Sequence, residues 1–280
     1  MPAGQKGSQF VRFRATAAAA RAGPHPALIG LSVTLWVLVL TGGGWFAYRH
    51  LDRFQPILTR FPVSTGDTSK SLTVEQKGWA LATSAMLTER NQQSHDLPGG
   101  TQATAAEVAR WKDVLKQWWG VRNRNDLLRT LGWVERAGHR RGFESLGANP
   151  SSQTDPGSDP ELAHRVEVVR AHYTRLGNKS LLGWDYARFI SLCRWGYLVG
   201  YVSEDEAWQW IMPKARELQK TFGSWADLGE NYLIGREFWS VEETGIHGWR
   251  YRAAYERLLT NPESPWLRFP WDLDLGGGAR

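Results

Sequence analysis

The chain has 280 residues, 22% of them charged and 42% hydrophobic, the composition of a globular domain of ordinary size with attachments. Its net charge of +6 gathers at one end: Lys6, Arg12, Arg14 and Arg21 lie in residues 1–26 with no acid among them, leaving +2 for the remainder. A near-balanced domain lacks the basic face of a nucleic-acid binder, so no nucleic acid is expected as a partner, and a single cysteine, Cys193, excludes an intrachain disulfide.

Behind the basic tail, residues 27–48 hold no charged side chain and reach the roughly 20 residues that a helix needs to cross a bilayer. Trp45 and Tyr48 stand at the end of the run, where aromatic rings favour the interface. The expectation is a retained single-pass transmembrane helix over residues 28–48. A cleaved signal peptide ending in the Gly42–Gly44 run competes with it, but a tail of 26 residues is long for that purpose. Arg12, Arg14 and Arg21 nearly balance Arg49, Arg53 and Arg60 across the segment. The short acid-free tail favours a cytoplasmic N-terminus.

Residues 49–70, with Pro56, Pro62 and Gly66, read as a tether. Helix signals accumulate from Ser71 onward. Thr73-Val74-Glu75-Gln76 is a capping box, followed by Trp79, Ala82 and Met86 on one face. Thr104-Ala105-Ala106-Glu107 is a second, followed by Val108, Trp111, Leu115 and Trp118 and closed by Gly120. Asn123 caps a third helix that ends before Gly138. Residues 147–160, rich in Gly, Pro, Ser and Asp, form a flexible loop. The next helix spans residues 161–176.

Residues 181–199 are apolar almost all round, which marks a central helix. Ser203-Glu204-Asp205-Glu206 is another capping box. Pro213 is expected to kink or split the helix that follows. Ser224 caps the next, and a last helix covers residues 249–259 before Asn261-Pro262. The sequence SPWLRFPWDLDL then packs along the domain as an extended strap. No alternating strand pattern occurs. The fold class is therefore all-α: one compact domain of about seven to nine helices over residues 71–280. The 16 tryptophans, spread from Trp36 to Trp271, predict a heavily aromatic core.

Four stretches then carry a resemblance: TVEQKGWALATSAML, WWGVRNRNDLLRTLGWVERAGHRRGF, GWDYARFISLCRWGYLVGYVSEDEAW and FGSWADLGENYLIGREFW. In this order they resemble the successive blocks of the bacterial YbeU/YbeR-like family, a domain of unknown function, over residues 71–239. The resemblance implies a single helical domain and, with the apolar segment, the bacterial inner membrane. It implies no reaction, cofactor or catalytic residue.

The charges inside the apolar helix are the candidates for a site. Asp185 and Arg188, three apart, can meet on one helix face. Arg194 lies further along, and Glu230 and Arg236 occupy the SWADLGENYLIGREFW helix. Together they read either as a buried network locking two helices in register or as a pocket gripping an anion between arginines. His139 and Arg140, after a helix end, are weaker candidates: a base, or a group capping carbonyls. His95-Asp96 is at most half of a metal site, and no metal or cofactor is expected. No Walker loop, dinucleotide glycine fingerprint or GxSxG elbow is present. The leading functional expectation is a membrane-anchored helical module for a protein partner. The alternative is an enzyme or receptor for a small anionic ligand.

Overall fold

The computed structural model describes residue 61, residues 68–149 and residues 159–276. The expected transmembrane segment lies outside these residues. Among the described residues no helix is long and apolar enough to cross a membrane.

The described chain is helical, with no strand. α1 (Thr68–Ser71) leads into α2 (Val74–Ala82) and α3 (Ala85–Arg90), then α4 (Ala105–Trp119) and α5 (Arg124–Arg136). α6 (Arg140–Ala148) and α7 (Pro160–Leu176) flank the undescribed residues 150–158. The C-terminal half holds α8 (Leu182–Leu198), α9 (Glu204–Thr221), α10 (Trp225–Trp239), α11 (Val241–Thr260) and α12 (Pro265–Arg268). Ten of these described helices exceed four residues, slightly more than the expected seven to nine.

The caps fall where the sequence puts them. Thr73 and Ser203 make complete capping boxes with Gln76 and Glu206. Thr104, Asn123 and Ser224 each accept an N–H from the third helical residue, but the box expected at Thr104 is only half made, because the Glu107 carboxylate accepts from Arg110 instead. Three local readings are corrected. α2 and α3 are separate helices, broken at Thr83 and Ser84, whose hydroxyls donate to Ala80 O and Leu81 O. α9 runs unbroken through Pro213: the proline removes one N–H, but buried Ile211, Met212 and Ala215 keep the helix seated on both sides of it. The last long helix begins at Val241, earlier than expected.

α8 is the axis of the domain. Every residue in it except Leu182 and Tyr197 is buried, because α3, α4, α5, α9 and α10 all pack around it. At roughly 1.5–3 kcal/mol for each fully buried large apolar side chain, this one helix carries a large share of the burial energy. α10 lies close against α8 at Gly235, where a Cβ would collide with Trp184. Asn231 of α10 ties the same contact, accepting from Gly183 N at 2.9 Å and donating to Ser180 O at 2.7 Å.

The strap closes the domain against α2, α9 and α10. Trp79 Nε1 donates to Pro270 O, Trp225 Nε1 to Phe269 O, Trp266 Nε1 to Ala82 O and Trp271 Nε1 to Phe222 O. Gln219 Nε2 reaches Trp271 O and Leu273 O, and Arg216 reaches Leu275 O. The segment is extended except for the single turn of α12 and a turn at Trp271 and Asp272, where Leu273 N donates to Pro270 O.

Candidate functional site, a buried cluster of rings and cations on α8 and α10

The site begins with Asp185, which is fully buried. Its Oδ1 accepts from His139 N at 3.0 Å and from Arg188 Nη2 at 2.8 Å; its Oδ2 accepts from Arg140 N and Arg140 Nη1, both at 3.1 Å. The two N–H groups belong to the start of α6, which has no side-chain cap of its own. Asp185 is that cap, supplied from α8, and its charge suits a helix N-terminus. Arg140 also donates to Val134 O and Glu135 O, the open carbonyls at the end of α5. One carboxylate and one guanidinium thus fasten three helices. Gly138 makes room for them: its φ is +56°, and a Cβ there would collide with the Asp185 carboxylate.

Arg188 continues the chain of contacts. Its Nη2 also donates to His139 Nδ1 at 2.7 Å. A guanidinium offers only donors, so Nδ1 is an acceptor and the neutral imidazole carries its proton on Nε2. Burial, reinforced by Arg188 and Arg165, drives the His139 pKa well below its ordinary 6.5. His139 is therefore a neutral donor at Nε2 and not a general base. The Arg188 guanidinium lies 4.3 Å over the Trp184 ring and 5.5 Å from that of Trp119. Burial lowers its pKa while Asp185 opposes the shift.

Across α10, Arg236 is buried and lies 5.0 Å from the Trp239 ring and 4.8 Å from that of Tyr251. Tyr232 stands between the two arginines, its ring 5.0 Å from Trp184 and 6.2 Å from Tyr251. Burial, with Tyr251 adding to it, holds the Tyr232 phenol well above its ordinary pKa.

Of the five charged residues expected to act together, the structure joins only part. Asp185 and Arg188 are bonded, and Arg236 approaches Arg188 through Tyr232. Arg194 points elsewhere. Six residues on from Arg188, it is turned by about 240° around the helix. Its five N–H groups are spent on Pro98 O, Ser94 O, Leu97 O, Ser84 Oγ and Thr88 Oγ1, pinning the loop before α4 onto α3. Burial without a carboxylate lowers its pKa to about 10. Glu230 is on the far side of α10 from Tyr232; it is half exposed and meets Arg175 at 3.6 Å. His139 and Arg140, the weaker candidates, take the place next to Asp185 that Glu230 was expected to share. His95 and Asp96 are paired with Glu89 and Arg268. Among the described residues no group of three or more metal-ligating side chains forms. The sequence reading passed over Trp184 and Tyr232, because an aromatic residue on a buried helix looks like core until its polar atom is traced.

A family model described as a protein of unknown function (DUF1266) matches residues 114–271, more than half of the chain. The chain belongs to this family. The match starts later than the resemblance read from the sequence and runs on through the first part of the strap, so the end of α4 and all of α5 to α12 lie within it. Two relatives from Escherichia coli (strain K12), both described as uncharacterized, show the same kinship. YbeR is 25% identical over 134 residues, 45% of this chain and 56% of YbeR. YbeU is 23% identical over 174 residues, 55% of this chain and 73% of YbeU. The match thus spans little more than half the length of YbeR. No solved structure matches the chain.

Proposed function

We propose that this DUF1266 chain is a membrane-tethered helical module that works by engaging a protein partner. The observation that carries the reading is Trp249. It is 66% exposed on α11, and the Arg250 guanidinium lies 5.2 Å from its ring. The other described tryptophans are buried or partly buried. Exposing an indole forgoes the burial energy that its area would bring, and Trp and Arg are, with Tyr, the residues enriched among those that dominate protein interfaces. The saturated states of Asp185 and Arg194 fit the same reading, since they assign both charges to architecture. The uncharged run over residues 27–48 supplies the membrane anchor, and residues 49–70 supply the tether.

Photo-crosslinking tests the partner. A benzoylphenylalanine placed at position 249 of the full-length chain in its native membrane is expected to give a discrete protein adduct. The same probe at exposed position 112 on α4 is expected to give none. Equal labelling at the two positions, or none at 249, refutes the partner surface. Carbonate extraction tests the anchor, and release of full-length chain into the soluble fraction refutes it.

A further inference from the structure

We infer that the rings and cations shared by α8, α10 and α11 bind a small carboxylate carried on a flat apolar body. The inference does not depend on a partner at Trp249. It starts from three buried polar atoms, Trp184 Nε1, Arg188 Nε and Tyr232 Oη, none of which has a hydrogen-bond partner in the protein. Buried polar groups in folded proteins are nearly always paired, and each exception asks for a cause. Trp111 and Trp210 also leave an indole N–H unpaired, but singly. Here three such atoms belong to one continuous run of contacts: Arg188 over Trp184, Trp184 against Tyr232, Tyr232 against Tyr251, and Tyr251 under Arg236.

The imbalance has a definite sense. An indole and a guanidinium can only donate, and the phenol, which both donates and accepts, is engaged in neither way. His139, fixed as the Nε2–H form, adds a further donor beside Trp184, their rings 6.2 Å apart. Trp184, Arg188 and Tyr232 are short of acceptors. Asp185 cannot make up the shortage, because both of its oxygens are already engaged by four N–H groups. A ligand carboxylate brings two acceptor oxygens to the open N–H groups of Arg188 and Trp184 and to the Tyr232 hydroxyl. The side chains around these atoms are rings, which favour a flat apolar body that can stack on them or meet them edge on. His139 and Trp239, partly exposed, mark the side that solvent reaches.

The test uses the full-length chain in detergent, with benzoate as the probe and benzamide and inorganic phosphate as comparisons, measured by titration calorimetry. Benzoate is expected to bind saturably at one site, at least tenfold more tightly than benzamide or phosphate. Tyr232→Phe is expected to weaken benzoate at least tenfold, the usual scale for losing a hydrogen bond to a charged group. The same variant is expected to keep the ligand-free Tm, because its hydroxyl has no bond to lose. Absence of saturable benzoate binding overturns the proposal. So does benzamide or phosphate binding as tightly as benzoate, which removes the role of the charge or of the rings. A fall in the ligand-free Tm of Tyr232→Phe, including failure to fold, also overturns it, since the phenol would then be bonded within the protein.

Discussion

At the strap, Trp79, Trp225, Trp266 and Trp271 each hand their indole N–H to a main-chain carbonyl. Around Arg188, the Trp184 indole and the Tyr232 hydroxyl find no acceptor in the protein. Both regions are packed rings: Trp225 stacks on Trp266 at 6.0 Å with 7° between the planes, and Trp184 meets Tyr232 edge on at 5.0 Å. Their apolar surfaces do the same work, and the polar atoms separate them. The strap spends every indole N–H on closing the domain. The α8–α10 cluster keeps donors in reserve, next to a carboxylate that is itself saturated. An aromatic surplus in a sequence therefore says little until each N–H and O–H has been followed to its partner.

The strongest way to break the contrast is to unsaturate the saturated group. Asp185→Asn is expected to cost about 3–5 kcal/mol in urea unfolding, because Arg140 and Arg188 lose their shared counter-charge. Lys112→Ala, an exposed change on α4, is expected to stay within about 0.5 kcal/mol. A cost for Asp185→Asn no larger than that of the control would remove the three-helix junction from the account.

A paired substitution sharpens the contrast further. Trp225→Phe and Trp184→Phe each shrink one buried ring, but only the first strands an acceptor, the Phe269 carbonyl. Trp225→Phe is expected to be the more destabilising by about 1–3 kcal/mol. Equal losses would show that the two clusters are finished alike.

The smallest effect concerns acid. His139 has a depressed pKa in the folded state, so the unfolded chain binds its proton first. Its contribution is complete above the ordinary 6.5 and declines as pH falls below that value, by at most about 1.4 kcal/mol per pH unit. His139→Gln is expected to flatten the stability curve in that window. Glu89, lowered chiefly by its hydrogen bond with His95 and further by Arg257, follows the carboxylate rule. Its contribution is present above the ordinary 4.5 and is lost as pH falls through the lower folded value, a fall that His139→Gln should leave in place. Unfolding curves across the acid range separate the two.

Much of this fold was legible residue by residue. Capping hydroxyls at Thr73, Ser203 and Ser224 act within one turn of themselves, so the sequence displays both partners. The all-round apolar character of α8 named the axis, and the proline-broken tail named the strap. What stayed hidden depends on distant partners. α6 carries a single buried residue, Phe143, and its N-terminal cap is Asp185, forty-five positions beyond Arg140. No local signal announces such a helix. In the site, the Asp185–Arg188 spacing was readable because it lies on one helix. Arg194 and Glu230 were grouped with them by charge alone, and helix phase sends both to other faces. His139 and Arg140 joined the site through a turn whose direction Gly138 sets. Trp184 and Tyr232 carried no polar signal in their spacing at all.

The strap has a consequence for how the protein is made. Gln76 bonds to Asp274 O and Trp79 to Pro270 O, 198 and 191 positions later in the chain. A ribosome delivers the N-terminal helices first, yet the groove around Trp79 and Trp225 stays uncovered until Phe269, Pro270 and Trp271 emerge. Contacts this distant in sequence form late and slow the search for the native state. The nascent chain thus presents an open tryptophan-lined groove from the time α10 has emerged until the strap follows it. A ribosome that stops before Pro265 releases a product with the long helices in place and that groove still bare, a substrate suited to chaperones and proteases.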